Sequence, residues 1–225
     1  STAATSLPSR MGNAAEAADR VPRGRVVGLE RSADQLAKVP RDVPNLSFVQ
    51  GDAHALPFDD GGFDVVYCRY LLEHVADPVR VLREAHRVLR FGGRICLQEN
   101  DISLVRHDPA TPAFYKVWTA FARLQTQLGG DALIGRTLFR LLREAGFGGD
   151  VVLSTCPEVY WFGQPGFGPW LVNLIGNIRS GQTGLIEHGL VTLDEVNLAI
   201  GELEALIANS HGSTWFYWNR GVAIK

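Results

Sequence analysis

The chain has 225 residues and a mass of 24.7 kDa, enough to bury a sizeable core within a single domain. Its 22 basic and 24 acidic residues nearly balance, giving a formal net charge of -2, and there is no basic run of the kind that nucleic-acid binding leaves. No apolar stretch approaches the roughly 20 residues that cross a bilayer, and residues 1–10 lack the apolar core of a signal peptide. The expectation is a cytoplasmic protein with neither nucleic acid nor membrane as partner.

In chain order, a short helix is expected over Asn13–Val21, then strands at Arg25–Glu30 (RVVGLE), Leu46–Gln50 (LSFVQ) and Phe63–Cys68 (FDVVYC). Asp77 and Pro78 supply an N-cap and a first-turn proline. The helix they open carries Val79, Leu82, Ala85, Val88 and Leu89 on one face, and Gly92 and Gly93 stop it before a strand at Arg94–Gln98. Apolar strands alternating with helices of this kind predict an α/β fold with parallel strands.

Beyond residue 100 the alternation stops. Phe114, Val117, Trp118, Phe121, Leu124 and Leu128 form an apolar helical stripe, and Leu138–Ala145 reads as a helix closed by Gly146. Val151–Cys156 reads as a strand, and GQPGFGP (163–169) as a loop with hinge character. Thr192 with Glu195 three residues on is a capping box that opens another helix, and Thr214–Ile224 closes the chain as a strand. Residues 1–225 are expected to form one domain, with 1–11 flexible and with 101–135 and 157–191 as insertions. Cys68, Cys96 and Cys156 lie singly in apolar runs without metal-ligand spacing, so buried, reduced thiols and no metal site are expected.

Open α/β sheets bind ligands in the crevice at the carboxyl ends of their strands, and acidic residues stand at such places here. Glu30 closes a strand, where a carboxylate can accept both hydroxyls of a ribose, although it also suits a plain polar strand end. Asp52 and Ala53 follow the next strand in GDAHALPF. There Asp52 can accept from an adenine amino group while the small Ala53 lets a ring lie flat, and Gly-Asp is equally ordinary turn chemistry. His74 follows the third strand, and an imidazole with an ordinary pKa near 6.5 can take a proton from an acceptor hydroxyl or amine.

Gly51–Asn100 contains, in order, an Asp-Ala pair, Leu-Pro-Phe, an FD-led apolar strand, an LEHV turn, an amphipathic helix and a Gly-Gly stop. In this it resembles class I S-adenosylmethionine-dependent methyltransferases of the broad small-molecule type, and IGRTLFRLLREAGF (134–147) looks like a later region of the same enzymes. The resemblance covers about residues 12–156. It implies a Rossmann-like, doubly wound, mostly parallel seven-stranded sheet with a helical lid, and S-adenosylmethionine as cofactor with S-adenosylhomocysteine as product. It further implies that Gly12, Glu30, Arg31, Asp52, Ala53, Cys68 and Arg69 bind the cofactor, with Glu30 on the ribose, Asp52 and Ala53 on the adenine, and Cys68 with Arg69 on the methionine side. Tyr70 and Leu72 would then face the place of methyl transfer with His74, the candidate general base; since a sulfonium already activates its methyl group, alignment alone can suffice.

The family normally opens with a strand and a turn of the kind VLDxGxGxG. Here only Met11, Gly12 and Asn13 stand in its place, preceded by SLPSR, and the crossover Ser32–Lys38 is short. Flexible segments of the natural chain are therefore expected to be missing from the string near Arg10–Gly12 and near Lys38.

Aromatic residues gather late, at Tyr160, Trp161, Phe162, Phe167, Trp170 and Trp215–Trp218. Packing on both faces of a central strand accounts for the last group, Trp215 and Tyr217 sharing one face and Phe216 and Trp218 the other. The sharper expectation places Phe114, Trp118, Tyr160 and Trp170 with Tyr70 around a small acceptor of apolar, aromatic or cationic character. Two other readings remain: a non-catalytic binding or scaffold domain without a complete glycine loop, and a nucleotide-dependent oxidoreductase, which the lack of a full GxGxxG disfavours. The sequence leaves the acceptor, the methylated atom and the oligomeric state open.

Overall fold

The computed structural model describes residues 8–39 and 42–225, with the side chains of 8–13 outside the description. In chain order the elements are α1 (Pro8–Arg20), β1 (Val26–Glu30), α2 (Ala33–Leu36), β2 (Leu46–Gln50), β3 (Phe63–Arg69), α3 (Pro78–Val88), β4 (Leu89–Glu99), β5 (Arg106–Asp108), α4 (Pro112–Gln127), α5 (Leu138–Glu144), β6 (Val151–Trp161), α6 (Phe167–Glu187), α7 (Leu193–Ala208) and β7 (Ser213–Ile224). They divide into two compact units. Of the described residues, the first comprises those up to Glu99 together with 134–154 and 219–225; the second comprises 100–133 and 155–218. No helix among the described residues is long and apolar enough to cross a membrane.

In the first unit β1 and β2 pair in parallel, Val26 opposite Leu46 through Glu30 opposite Gln50. β3 pairs in parallel with β4, whose other edge takes the end of β7 antiparallel, Arg94 opposite Ile224 through Glu99 opposite Asn219. The strands thus stand in two sheets. This corrects the expectation of one continuous seven-stranded sheet. Among the described residues β1 pairs only with β2 and β3 only with β4. Instead α1 begins at Pro8 and runs through Arg10–Gly12, so residues 8–11 are helical and residues 1–7 lie outside the described residues. Ala14 and Ala18, one turn apart, are its buried face. The other expected break borders Pro40 and Arg41, which also lie outside the described residues.

Asp77 caps α3 by accepting from the Arg80 amide at 2.9 Å, and Val81, Leu82, Ala85 and Val88 bury its core face. The helix ends earlier than the two glycines. β4 already starts at Leu89, and a bulge lies between Phe63 opposite Leu89 and Val65 opposite Arg94. Gly92, at φ +74°, makes the bend, and a Cβ on Gly93 would stand 2.8 Å from the Arg90 carbonyl oxygen, so the glycines shape the strand instead of preceding it. Leu72, Leu82, Leu89, Ile95, Leu142 and Phe147 are wholly buried in this core.

In the second unit α4, α6 and α7 pack on one another. The stripe on α4 serves that packing: Phe114, Trp118 and Phe121 stack in sequence at 5.3 and 5.4 Å between ring centroids. A Cβ on Gly181 would stand 2.7 Å from Phe121, so the glycine admits α6 against α4. The capping box at Thr192 forms as expected. GQPGFGP is loop only at its start, because α6 begins at Phe167 and runs for 21 residues. β5 pairs with the first half of β7, and β6 pairs with β7 and extends to Trp161, beyond the expected Cys156. Phe216 and Trp218 are the buried face of β7, with ring centroids 4.4 Å apart.

Candidate functional site

The first unit holds a cavity of about 310 Å³, walled by the carboxyl ends of its strands and one face of α3. β1 contributes Leu29 and Glu30, with Arg31 following. The chain after β2 contributes Gly51, Asp52, Ala53, His54 and Leu56. β3 contributes Val66, Tyr67 and Cys68; the turn after it Leu71, His74 and Val75; α3 Val81, Leu82 and Ala85; and β4 Ile95. Glu30 Oε1 accepts from the Ser32 amide at 2.8 Å, which ties the carboxylate back over the strand end.

The 52–56 segment is pinned from several sides. Asp52 Oδ1 accepts from the His54 amide at 2.9 Å and lies 2.8 Å from His54 Nδ1, and these contacts hold its carboxyl below the usual carboxylate range. Arg80 Nε donates to the His54 carbonyl, and Glu84 Oε2 accepts from the Leu56 amide. Arg87 bonds the carbonyls of Leu56 and Phe58 and the carboxylate of Asp60. A loop so anchored is a rigid wall, and Ala53 packs against the core beneath it.

At the end of β3 the backbone turns sharply. Tyr70 has φ +51°, the left-handed region that a non-glycine residue enters only when its surroundings hold it there. Its amide donates to the Gln98 carbonyl, and its hydroxyl accepts from Arg69 at 2.9 Å and Gln98 at 3.2 Å, with the Arg69 guanidinium 4.5 Å above the ring. Leu72–His74 then make a single 3-10 turn whose entry Glu99 holds: Glu99 Oε1 lies 3.2 Å from the amides of both Leu71 and Leu72 and 3.5 Å from Cys68 Sγ. His74 Nε2 lies 3.6 Å from Glu73 Oε1, with half of its side chain exposed.

Of the residues singled out in the sequence, the fold brings Glu30, Arg31, Asp52, Ala53, Cys68 and His74 to one cavity. Arg69 and Tyr70 do not line it and pair with each other. Leu72 does not face it either; its side chain is wholly buried in the core. Gly12 falls within α1, in the stretch whose side chains are not described. Phe114 and Trp118 belong to the second unit, Phe114 wholly buried and Trp118 donating its Nε1 to the Ile102 carbonyl at 2.8 Å. Trp118 also lines a second cavity, of about 390 Å³, with Ile102, Ser103, Val105, Arg106, Tyr115 and Thr119. Tyr160 and Trp170 stand 6.3 Å apart by ring centroid in an aromatic group with Phe216 and Trp218, where Glu158 accepts from both the Tyr160 hydroxyl and Trp218 Nε1. Sequence reasoning missed Glu99 and His54. The one available signal for each was position, Glu99 at the carboxyl end of a strand and His54 two residues after Asp52.

Residues 10–97 match the model of a methyltransferase domain family. The chain is 34% identical over 143 residues to a demethylmenaquinone methyltransferase of Lactococcus lactis, covering 56% of this chain and 57% of that enzyme. The chain spans 34–57% of the length of the curated relatives. A candidate methyltransferase of Bacillus halodurans C-125 superposes with a TM-score of 0.61 at 18% identity, covering all of this chain and 91% of that one. A phosphoethanolamine N-methyltransferase of Haemonchus contortus, solved with phosphomonomethylethanolamine and S-adenosylhomocysteine, superposes with a TM-score of 0.55 at 16% identity, covering all of this chain and 48% of that one. At such identities the structural likeness speaks for the fold.

Proposed function

We propose that this chain, whose residues 10–97 match the model of a methyltransferase domain family, binds S-adenosylmethionine in the cavity of the first unit and transfers its methyl group to an oxygen, nitrogen or carbon of a small molecule. The observation that carries the reading is the convergence of Glu30, Asp52, Ala53, Cys68 and His74 on one cavity at the carboxyl ends of parallel strands. Its volume of about 310 Å³ lies within the range of ligand pockets, roughly 300–1,000 Å³.

The residues present fit the cofactor by chemistry and position. Glu30 offers a carboxylate oxygen to ribose hydroxyls, and the anchored 52–56 loop offers Asp52 to an adenine amino group over the small Ala53. Cys68 and the turn after it wall the far side. When bound, the sulfonium supplies an already activated methyl group, so the protein's main task is alignment. His74, beside Glu73, is positioned to take a proton from an acceptor hydroxyl or amine where the chemistry requires it.

Ligand-dependent stabilisation tests the reading. S-adenosylhomocysteine at about 100 times its dissociation constant adds about 2.7 kcal/mol, which raises the melting temperature by roughly 5–10 °C for a chain of this size. A melting temperature unmoved at millimolar ligand favours the alternative, a methyltransferase-like scaffold.

A further inference from the structure

Glu99, the last residue of β4, has no exposed surface, yet nothing in the proposed chemistry uses it. One of its oxygens accepts from three donors: the amides of Leu71 and Leu72 and the thiol of Cys68. The other, Oε2, is buried without a hydrogen-bond partner among the described residues. Burying a carboxyl this way is costly, and an apolar residue would fill a strand end at less cost. The three donors come from the segment that turns through Tyr70 at positive φ and carries Cys68, Leu71, His74 and Val75 into the cavity wall.

We propose that Glu99 is a positioning residue for this cavity: its ionised carboxylate reaches from β4 to hold the Cys68–Leu72 turn in the shape that receives the ligand. The inference rests on the reading of that cavity as the cofactor site. An ionised carboxylate is an acceptor only and suits three donors, whereas a protonated one carries a hydrogen on an oxygen with no acceptor beside it. The groups facing it are the Cys68 thiol from β3 and the Glu73 carboxylate from the 3-10 turn, with the His74 imidazole beyond Glu73. Burial, reinforced by the Glu73 charge and opposed by the two amides, pushes the Glu99 carboxyl up to about 7. The clamp is therefore complete above neutral pH and loosens as the pH falls through 7.

The test measures, in wild-type protein and Glu99→Gln between pH 6 and pH 8, amide-exchange protection at Leu71 and Leu72 and affinity for S-adenosylhomocysteine. At pH 8 the variant should show roughly tenfold lower protection at both amides and roughly tenfold weaker binding. Wild-type protein should lose both advantages by pH 6. Equal protection at pH 8, or a wild-type pH dependence that persists in the variant and so belongs to His74 or Glu73, overturns the proposal. Should the variant not fold, the wild-type profile decides: flat protection and affinity between pH 6 and pH 8 overturn it. No wild-type binding at any pH, with protection lost in the variant, rejects the cofactor reading and with it the role in ligand positioning.

Discussion

A buried histidine gives the most direct residue-scale prediction. His107 packs between Phe114 and Tyr115, with Nδ1 2.7 Å from the Thr111 hydroxyl and Nε2 buried without a partner among the described residues. Burial lowers its pKa to about 4. In the unfolded chain a histidine titrates near 6.5. Between these values the unfolded state holds the extra proton, so the stability that neutral His107 contributes is fully present above about pH 6.5 and is lost as pH falls toward 4. At pH 5 the loss is about 2 kcal/mol, read as a lower urea midpoint, and His107→Gln should remove that part of the pH dependence. An equal pH dependence in the variant would contradict the assignment. Asp52 shows how differently a carboxyl behaves when its donors are local, since its His54 contacts hold it low at the surface while Glu99 is raised by burial. Nothing in the residue identities at 52 and 99 separates the two cases; only the depth of burial does.

At the scale of elements, the sequence was most legible where local signals agreed. β2 matches its expected bounds, β1 and β3 fall within a residue of theirs, and both the Asp77 cap and the Thr192 capping box form. Thr192→Ala removes the acceptor for the Glu195 amide and should cost about 1 kcal/mol, measurable as a shift in the urea midpoint with an unchanged slope. An unchanged midpoint would mean that packing of α7 alone sets its start. The misses were tertiary in origin. α6 opens on Gly166, Phe167, Gly168 and Pro169, which read locally as a loop, while its buried residues Leu171, Leu174, Ile175, Ile178 and Leu185 fall at helical spacing. Likewise Gly92 and Gly93 read as a helix stop, although Val88 already ends α3 and the pairing of Leu89 with Phe63 draws the chain into β4.

For the whole molecule, the alternation of strands and helices gave the α/β class, and the motifs between residues 51 and 100 carried a resemblance with which the match of residues 10–97 to a methyltransferase domain model agrees. The break into two sheets had one local sign, the absence of an apolar strand pattern in SLPSR and Met11–Asn13 where the family's opening strand stands, but which strands would pair is decided between distant segments. The same limit applied to the cavity. Glu30, Asp52, Cys68 and His74 were legible as strand-end residues, but the ties that hold their loops, from Arg80, Glu84, Arg87 and Glu99, come from α3 and β4.

Calorimetric titration with S-adenosylhomocysteine of wild-type protein and Glu30→Ala tests most directly whether this cavity holds S-adenosylmethionine through Glu30. Wild-type protein should show one site per chain with micromolar affinity, weakened by roughly 1–3 kcal/mol in the variant as hydroxyl contacts to the carboxylate are lost. Absence of binding by the folded wild-type protein, or equal affinity in both proteins, would contradict it.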